Sequence, residues 1–201
     1  KIKIQPGDIS KTIHLIQKLS HKLGSDHQYR LDVNGGWNID EAFQNANLLY
    51  GLPIDYIEQP LPPDQLDELS HLSKDIKIPI AVDESLTSFN SAKEIIRKQA
   101  AGVFIIKPMV TGSFSEIRDI VNLAKANQIR CVFSSSLELE VGRMAIIHLA
   151  AVNHITEPCG LDTGYLFTKS PASLPEIRNG KIQIPDEIGL GISSSHLREL
   201  F

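Results

Sequence analysis

The sequence predicts an α/β fold in which strands and helices alternate around one parallel sheet curled into a barrel, and three observations predict it. Short apolar runs with strand periodicity alternate with helix-patterned stretches from Lys1 to about residue 160. Several of these runs stop on a charged residue at a near-constant interval: 26 positions from Asp32 to Glu58, 25 to Asp83 and 24 to Lys107. That interval is one strand, one helix and two short loops, so the charges occupy equivalent points of successive units. With 201 residues, 42% of them hydrophobic, the chain is long enough for one sizeable core.

The elements follow in order. Lys1 to Gln5 alternates with period two and reads as a strand, broken by Pro6 and Gly7. Asp8 caps a helix carrying Ile9, Ile13, Ile16, Leu19 and Leu23, which Gly24 ends. Tyr29 to Val33 is the next strand, Asn34 to Trp37 a loop, and Asn38 caps a helix to about Tyr50, with Asp40 and Glu41 in its first turn. After the strand Ile54 to Glu58, Pro60, Pro62 and Pro63 delay the next helix to about Asp64, and Leu66, Leu69 and Leu72 form its stripe. Ile78 to Val82 is a strand, and Ser88 opens a helix to Ala101. Val103 to Ile106 is a strand, and Ser113 with Glu116 forms a capping box for a helix to Asn127. Ile129 to Phe133 is a strand, Met144, Ile147, Leu149 and Ala151 mark an apolar helix, and Ile155 to Cys159 is the last strand. Seven strand positions result, where eight close a barrel. Beyond Gly160 the pattern changes to a hairpin around Asn179-Gly180 and an irregular tail with Gly189 and Gly191.

A formal net charge of -4, with no lysine or arginine cluster, argues against nucleic acid and membrane surfaces as partners and leaves a small molecule. Cys131 and Cys159 lie in separate apolar segments and read as reduced thiols of a cytoplasmic protein. No apolar run approaches a membrane span. The chain opens on Lys1 within a strand-like run, so residues ahead of it are expected.

Strand alternation also sorts the charges. Ile2 and Ile4, Leu31 and Val33, and Phe104 and Ile106 belong against the outer helices, which turns Lys1, Lys3, Asp32, Asn34 and Lys107 inward. Three acids and two or three lysines then converge at the C-terminal mouth, where barrels place their chemistry. Carboxylates from three strand ends suit a hard divalent cation with oxygen ligands, magnesium first. Flanking lysines suit removal of a weakly acidic proton beside a carboxylate. Taken singly, each acid also fits a helix cap or a loop, and the seven histidines read as structural. Two other readings stay open: a metal-free Schiff-base aldolase with Lys107 as its covalent lysine, and a binding barrel without catalysis.

These residues resemble the enolase superfamily in its muconate-lactonising subgroup. Lys1-Ile-Lys3 looks like the family's KxK on the second barrel strand, Asp32-Val-Asn34 like its DxN, Glu58-Gln-Pro60 like its ExP, Asp83-Glu84 like its DE, and Ile106-Lys107-Pro108 like its sixth-strand lysine, over a match from Lys1 to about Ile192. The resemblance implies a (β/α)7β barrel of the TIM type whose strands 2 to 8 fall in residues 1–160. Residues 161–201 would then be a tail packed on an N-terminal capping domain which, like the first barrel strand, lies outside these residues. It implies Mg2+, with Mn2+ as its substitute, on Asp32, Glu58 and Asp83, and Lys3 and Lys107 as catalytic groups on opposite faces of a carboxylate substrate. Lys1, Asn34, Ser134, Ser135 and Ser136 are implied to line that substrate. Within the subgroup, Ser134 to Gly142 and Gly160 to Thr163 look most like the o-succinylbenzoate synthases, dehydratases of menaquinone biosynthesis acting on a succinyl-cyclohexadiene carboxylate. N-succinylamino acid racemases and cycloisomerases share the barrel motifs and remain the alternative. Dipeptide epimerases carry DxD on the last strand, whereas here Asp162 is followed by Thr163 and Gly164.

Overall fold

The computed structural model describes residues 1–5, 7, 9–24, 26–166, 177–186 and 188–191. Six parallel strands stand in chain order: β1 (Ile2–Lys3), β2 (Tyr29–Asp32), β3 (Ile54–Glu58), β4 (Ile80–Val82), β5 (Val103–Ile106) and β6 (Arg130–Phe133). Between them run α1 (Ser10–Leu23), α2 (Ile39–Leu49), α3 (Leu66–Asp75), α4 (Phe89–Lys98), the single turn α5 (Pro108–Thr111) and α6 (Phe114–Ala126), and α7 (Glu140–Val152) follows β6. Parallel neighbours require such crossovers, which cover the outer face of the sheet with helices.

Strand alternation sorts the apolar side chains into two layers, as the sequence predicts. Leu31, Val33, Ile57, Phe104 and Ile106 belong to the large cluster shared with the helices, whereas Tyr56, Ala81, Val103, Ile105 and Val132 form a separate small cluster. Nearly every core strand residue is buried, the mark of a sheet covered on both faces.

Helix starts follow local chemistry. Asn38 and Glu41 form a reciprocal capping box, and Ser88 does the same with Ser91. At α6 only half of the expected box forms: Ser113 Oγ accepts the Glu116 N–H, but the Glu116 carboxylate turns instead to the N–H of Phe89 at the start of α4. The expected cap Asp8 lies outside the described residues, and α1 starts at Ile9 without a side-chain cap. Helix α4 stops at Lys98, before the predicted Ala101, because Gln99 takes a left-handed φ of 57°.

The predicted last strand, Ile155 to Cys159, is not a strand. The segment lies alongside β6 but joins the sheet only through one parallel bridge between Ser134 and Gly160. Pro158 has no N–H to give a ladder, and side chains hold the segment instead. Arg30 donates to the Pro158 carbonyl at 2.6 Å and to Glu157 at 3.1 Å, and its Nε donates to Asp55 at 2.8 Å. Arg130 reaches the other Asp55 oxygen at 2.8 Å, and both guanidinium groups stack on the Tyr56 ring. Asp55 is free to do this because the β2–β3 register shifts between Tyr29 and Arg30, leaving Asp55 without a ladder partner. This clasp ties β2, β3, β6 and the 157–158 turn together across the sheet.

Beyond residue 160 the predicted hairpin is present: β7 (Ile177–Arg178) and β8 (Lys181–Ile182) pair antiparallel around Asn179-Gly180, both with positive φ. Among the described residues no helix is long and apolar enough to cross a membrane.

Burial alone would push the Asp55 carboxyl up, but hydrogen bonds from Arg130 and Arg30 outweigh it and hold the group below its ordinary range. Asp55→Asn is therefore expected to cost about 2 kcal/mol in urea unfolding at neutral pH, typical of hydrogen bonds to a charged group. A carboxyl with a lowered folded pKa stabilises fully above its unfolded value, and the contribution fades as pH falls through the folded value. The difference between wild type and variant should accordingly shrink in acid.

Candidate active site

The parallel ladder sets the candidate groups out in one row. Lys3 on β1 is level with Asp32 on β2, and Asp32 is level with Glu58 on β3. Asp83 directly follows β4, and Lys107 directly follows β5. In strand order the rim therefore reads lysine, acid, acid, acid, lysine.

All three acids are buried and two of the lysines bind them. Lys1 Nζ lies 2.9 Å from Asp32 Oδ2 and 2.6 Å from Glu58 Oε1, and Lys107 Nζ lies 2.5 Å from Asp83 Oδ2. Lys3 is exposed and pairs with no acid among the described residues. The Glu58 carboxyl is pushed up to about 7 by burial first and by the charges of Asp32 and Asp83, against the pull of Lys1. Burial also raises Asp83, against the hydrogen bond and charge of Lys107. For the Lys1 ammonium burial lowers the pKa, but the Glu58 charge and hydrogen bonds to Asp32 and Glu58 outweigh it and the net shift is upward.

The row fits a hard cation by its donors. Glu58 Oε2 is buried without a hydrogen-bond partner among the described residues, and an unsatisfied buried carboxylate oxygen calls for a positive partner. In the arrangement seen here the acids face the lysines, and among the described residues no three acids or histidines converge closely enough to hold an ion. Were an ion bound at this rim, Asp32, Glu58 and Asp83 would be the residues to hold it.

The remaining predicted residues have definite places. Asn34, at φ 49°, donates through Nδ2 to Glu84 at 2.9 Å. Ser134 pairs through its backbone with Ile106 and Gly160. Ser135 Oγ is committed to Glu138, Leu137 and Thr163, whereas the Ser136 hydroxyl is buried with no partner among the described residues. A cavity of about 550 Å³ runs inside the sheet from Lys1 and Glu58 past Ile105 to Arg30 and Arg130.

Two groups of positioning residues escaped the sequence reading. Gln59 is fully buried with φ 39°; its amide donates to the Leu61 carbonyl and Ser85 Oγ, and its carbonyl accepts the N–H groups of Asp83 and Ser85. It therefore sets the turn that carries Asp83. Arg143, also buried, donates twice to the Leu161 carbonyl, and a Cβ on Gly164 would stand 2.0 Å from its Nη1. A glutamine next to a strand-end acid signals nothing in a single sequence; its role depends on the neighbouring strand's turn.

The model of the enolase C-terminal domain-like family matches residues 1–196, and the chain belongs to the enolase superfamily. It is 31% identical to muconate cycloisomerase 1 of Rhodococcus opacus over 92% of its own length and 49% of that protein's. It is 35% identical to the o-succinylbenzoate synthase of Mycobacterium bovis over 71% of its length and 43% of that protein's. The solved muconate lactonizing enzyme from Pseudomonas putida superposes with a TM-score of 0.89 at 25% identity, covering 98% of this chain and 56% of that one. The chain thus spans about half the length of the curated relatives it matches. Members of the superfamily use Mg2+.

Two outcomes are expected. If Asp32, Glu58 and Asp83 hold the ion, Asp83→Asn removes one of three ligand charges and should abolish most magnesium affinity in calorimetric titration. Gln59→Ala leaves two N–H groups and a carbonyl unpaired and should lower the unfolding free energy by about 3 kcal/mol, taking about 1 kcal/mol or more for each. Its metal affinity should fall as well, because the Asp83 turn loosens.

Proposed function

We propose that this chain carries the catalytic face of a magnesium-dependent enzyme that removes the proton next to a substrate carboxylate, and that its reaction is an o-succinylbenzoate synthase-like dehydration in menaquinone biosynthesis. The observation that carries the reading is the row of three acids with a lysine on either side, each on its own strand end. Relatives at similar identity include muconate cycloisomerases, dipeptide epimerases and an N-succinyl-L-Arg/Lys racemase, and a row of this kind suits all of their reactions. The synthase reading is supported by the mycobacterial synthase among the relatives, 35% identical over 71% of this chain, and by Gly164 standing two residues after Asp162, where an epimerase-type DxD would place its second acid.

Asp32, Glu58 and Asp83 would hold the magnesium ion, which when bound would supply the charge that makes a proton next to a carboxylate removable. In this reading Lys3, level with Asp32 at the same rim, is the base that takes this proton from a succinyl-cyclohexadiene carboxylate. Lys107, on the other side of the acid row, offers its ammonium to the enediolate that results. Lys3 then returns the proton to the departing hydroxyl, which leaves as water, and the ring becomes aromatic. Lys1, Asn34 and the Ser134 to Ser136 loop line the substrate.

Racemisation of an N-succinylamino acid is the second reading, favoured by the placement of Lys3 and Lys107 on either side of the acids, since exchange at both faces needs two bases. The lysines distinguish the two. For a dehydratase, Lys107→Arg should keep measurable turnover because the charge remains, while Lys3→Arg should lose at least about 1,000-fold because no base is left. In deuterium oxide, rapid exchange of the α-proton of an N-succinylamino acid with no turnover of the cyclohexadiene carboxylate would establish the racemase instead.

A further inference from the structure

The loop after β6 contains a buried hydrogen-bonded cluster that the proton chemistry above does not use. Ser135 Oγ donates to Glu138 Oε2 at 2.6 Å, and the same oxygen accepts the Ser136 N–H at 2.7 Å. Ser135 Oγ also accepts from the Leu137 N–H and from Thr163 Oγ1, each at 3.0 Å. Glu138 is only 8% exposed and pairs with no lysine or arginine among the described residues. Leu137 is held at φ 69°, a conformation that a leucine adopts only under constraint. Gly142 lets the first turn of α7 close over the glutamate, since a Cβ there would lie 2.7 Å from Glu138 Cβ.

The cluster sits on the rim. β5 and β6 pair Ile106 with Phe133, and the Ser134 N–H bonds the Ile106 carbonyl at 3.0 Å, which puts Ser134 beside Lys107 and Ser136 two residues further along. Ser135 is saturated by its three bonds. Ser136 Oγ, by contrast, is buried and unpartnered, an arrangement that persists at a cost unless a ligand completes it.

We propose that Glu138 is a positioning residue of this site: through Ser135 it locks the 134–138 loop to the 160–164 segment, and so holds the Ser136 hydroxyl at the rim to hydrogen-bond a polar group of the substrate. The substrate-binding half of this rests on the proton-abstraction reading above; the lock itself does not.

Hydrogen exchange read by mass spectrometry on the ligand-free protein tests the lock. Glu138→Ala should speed amide exchange in both 134–140 and 160–164, whereas Glu138→Gln, which keeps an oxygen able to accept both bonds, should restore most of the protection. Unchanged exchange in the alanine variant would overturn the proposal whatever the enzyme's substrate. Kinetics test the second half. Ser136→Ala and Glu138→Ala should each raise KM about fivefold to tenfold with kcat within about threefold, the size of one lost hydrogen bond in uniform binding. If Glu138 acts through Ser136, the double variant should be no worse than Glu138→Ala alone; additive losses would overturn it. A wild type that exchanges no α-proton from any carboxylate offered would refute the proton-abstraction reading and with it the substrate role of Ser136, leaving the exchange measurement to decide the lock.

Discussion

Parallel pairing is the constraint on which the rest of this structure depends. Strands that run the same way must end at the same rim, so the residue that follows the last apolar position of each strand arrives beside its counterparts. That is why charges spaced about one strand–helix unit apart, from Asp32 to Lys107, become spatial neighbours. The helices follow from the same constraint, since a parallel crossover must return across the sheet, and their apolar stripes bury Leu31, Ile57 and Phe104 on the outer face.

Gathering like charges at a rim of low dielectric has an electrostatic consequence. Burial strips hydration from Glu58 and, to a lesser degree, Asp32 and Asp83 repel its charge, which is why its carboxyl rises to about 7 even with Lys1 at 2.6 Å. Lys1 and Lys107 offset this by pairing with the acids. The same balance appears at the other end of the inner layer, but there it is closed. Asp55, Glu157, Arg30 and Arg130 satisfy one another and hold a segment that the ladder does not. One ionic cluster therefore serves the fold, and the other is left with an unsatisfied oxygen on Glu58.

Much of this was legible in the sequence. Alternation placed Lys1, Asp32 and Lys107 on the inner side, and the strands and most helix starts lie within a few residues of where the pattern puts them. The failures share a physical cause. Ile155 to Cys159 has the apolar character of a strand, but strand formation depends on a neighbour offering a ladder, and Pro158 and Arg30 decided otherwise. Glu116 chose the backbone of α4 over its own helix, a preference that no local capping rule contains.

The sequence by itself determined the order of the elements, the face most strand residues take and the row of lysine and carboxylate groups, because these depend on periodicity and on parallel direction. Only the tertiary structure decided which serine hydroxyl remains unpartnered, that Gln59 sets the Asp83 turn, that Glu138 lies under α7, and that Arg30 clasps the 157–158 turn. Each of these depends on side chains meeting across a distance in the chain that no local pattern encodes.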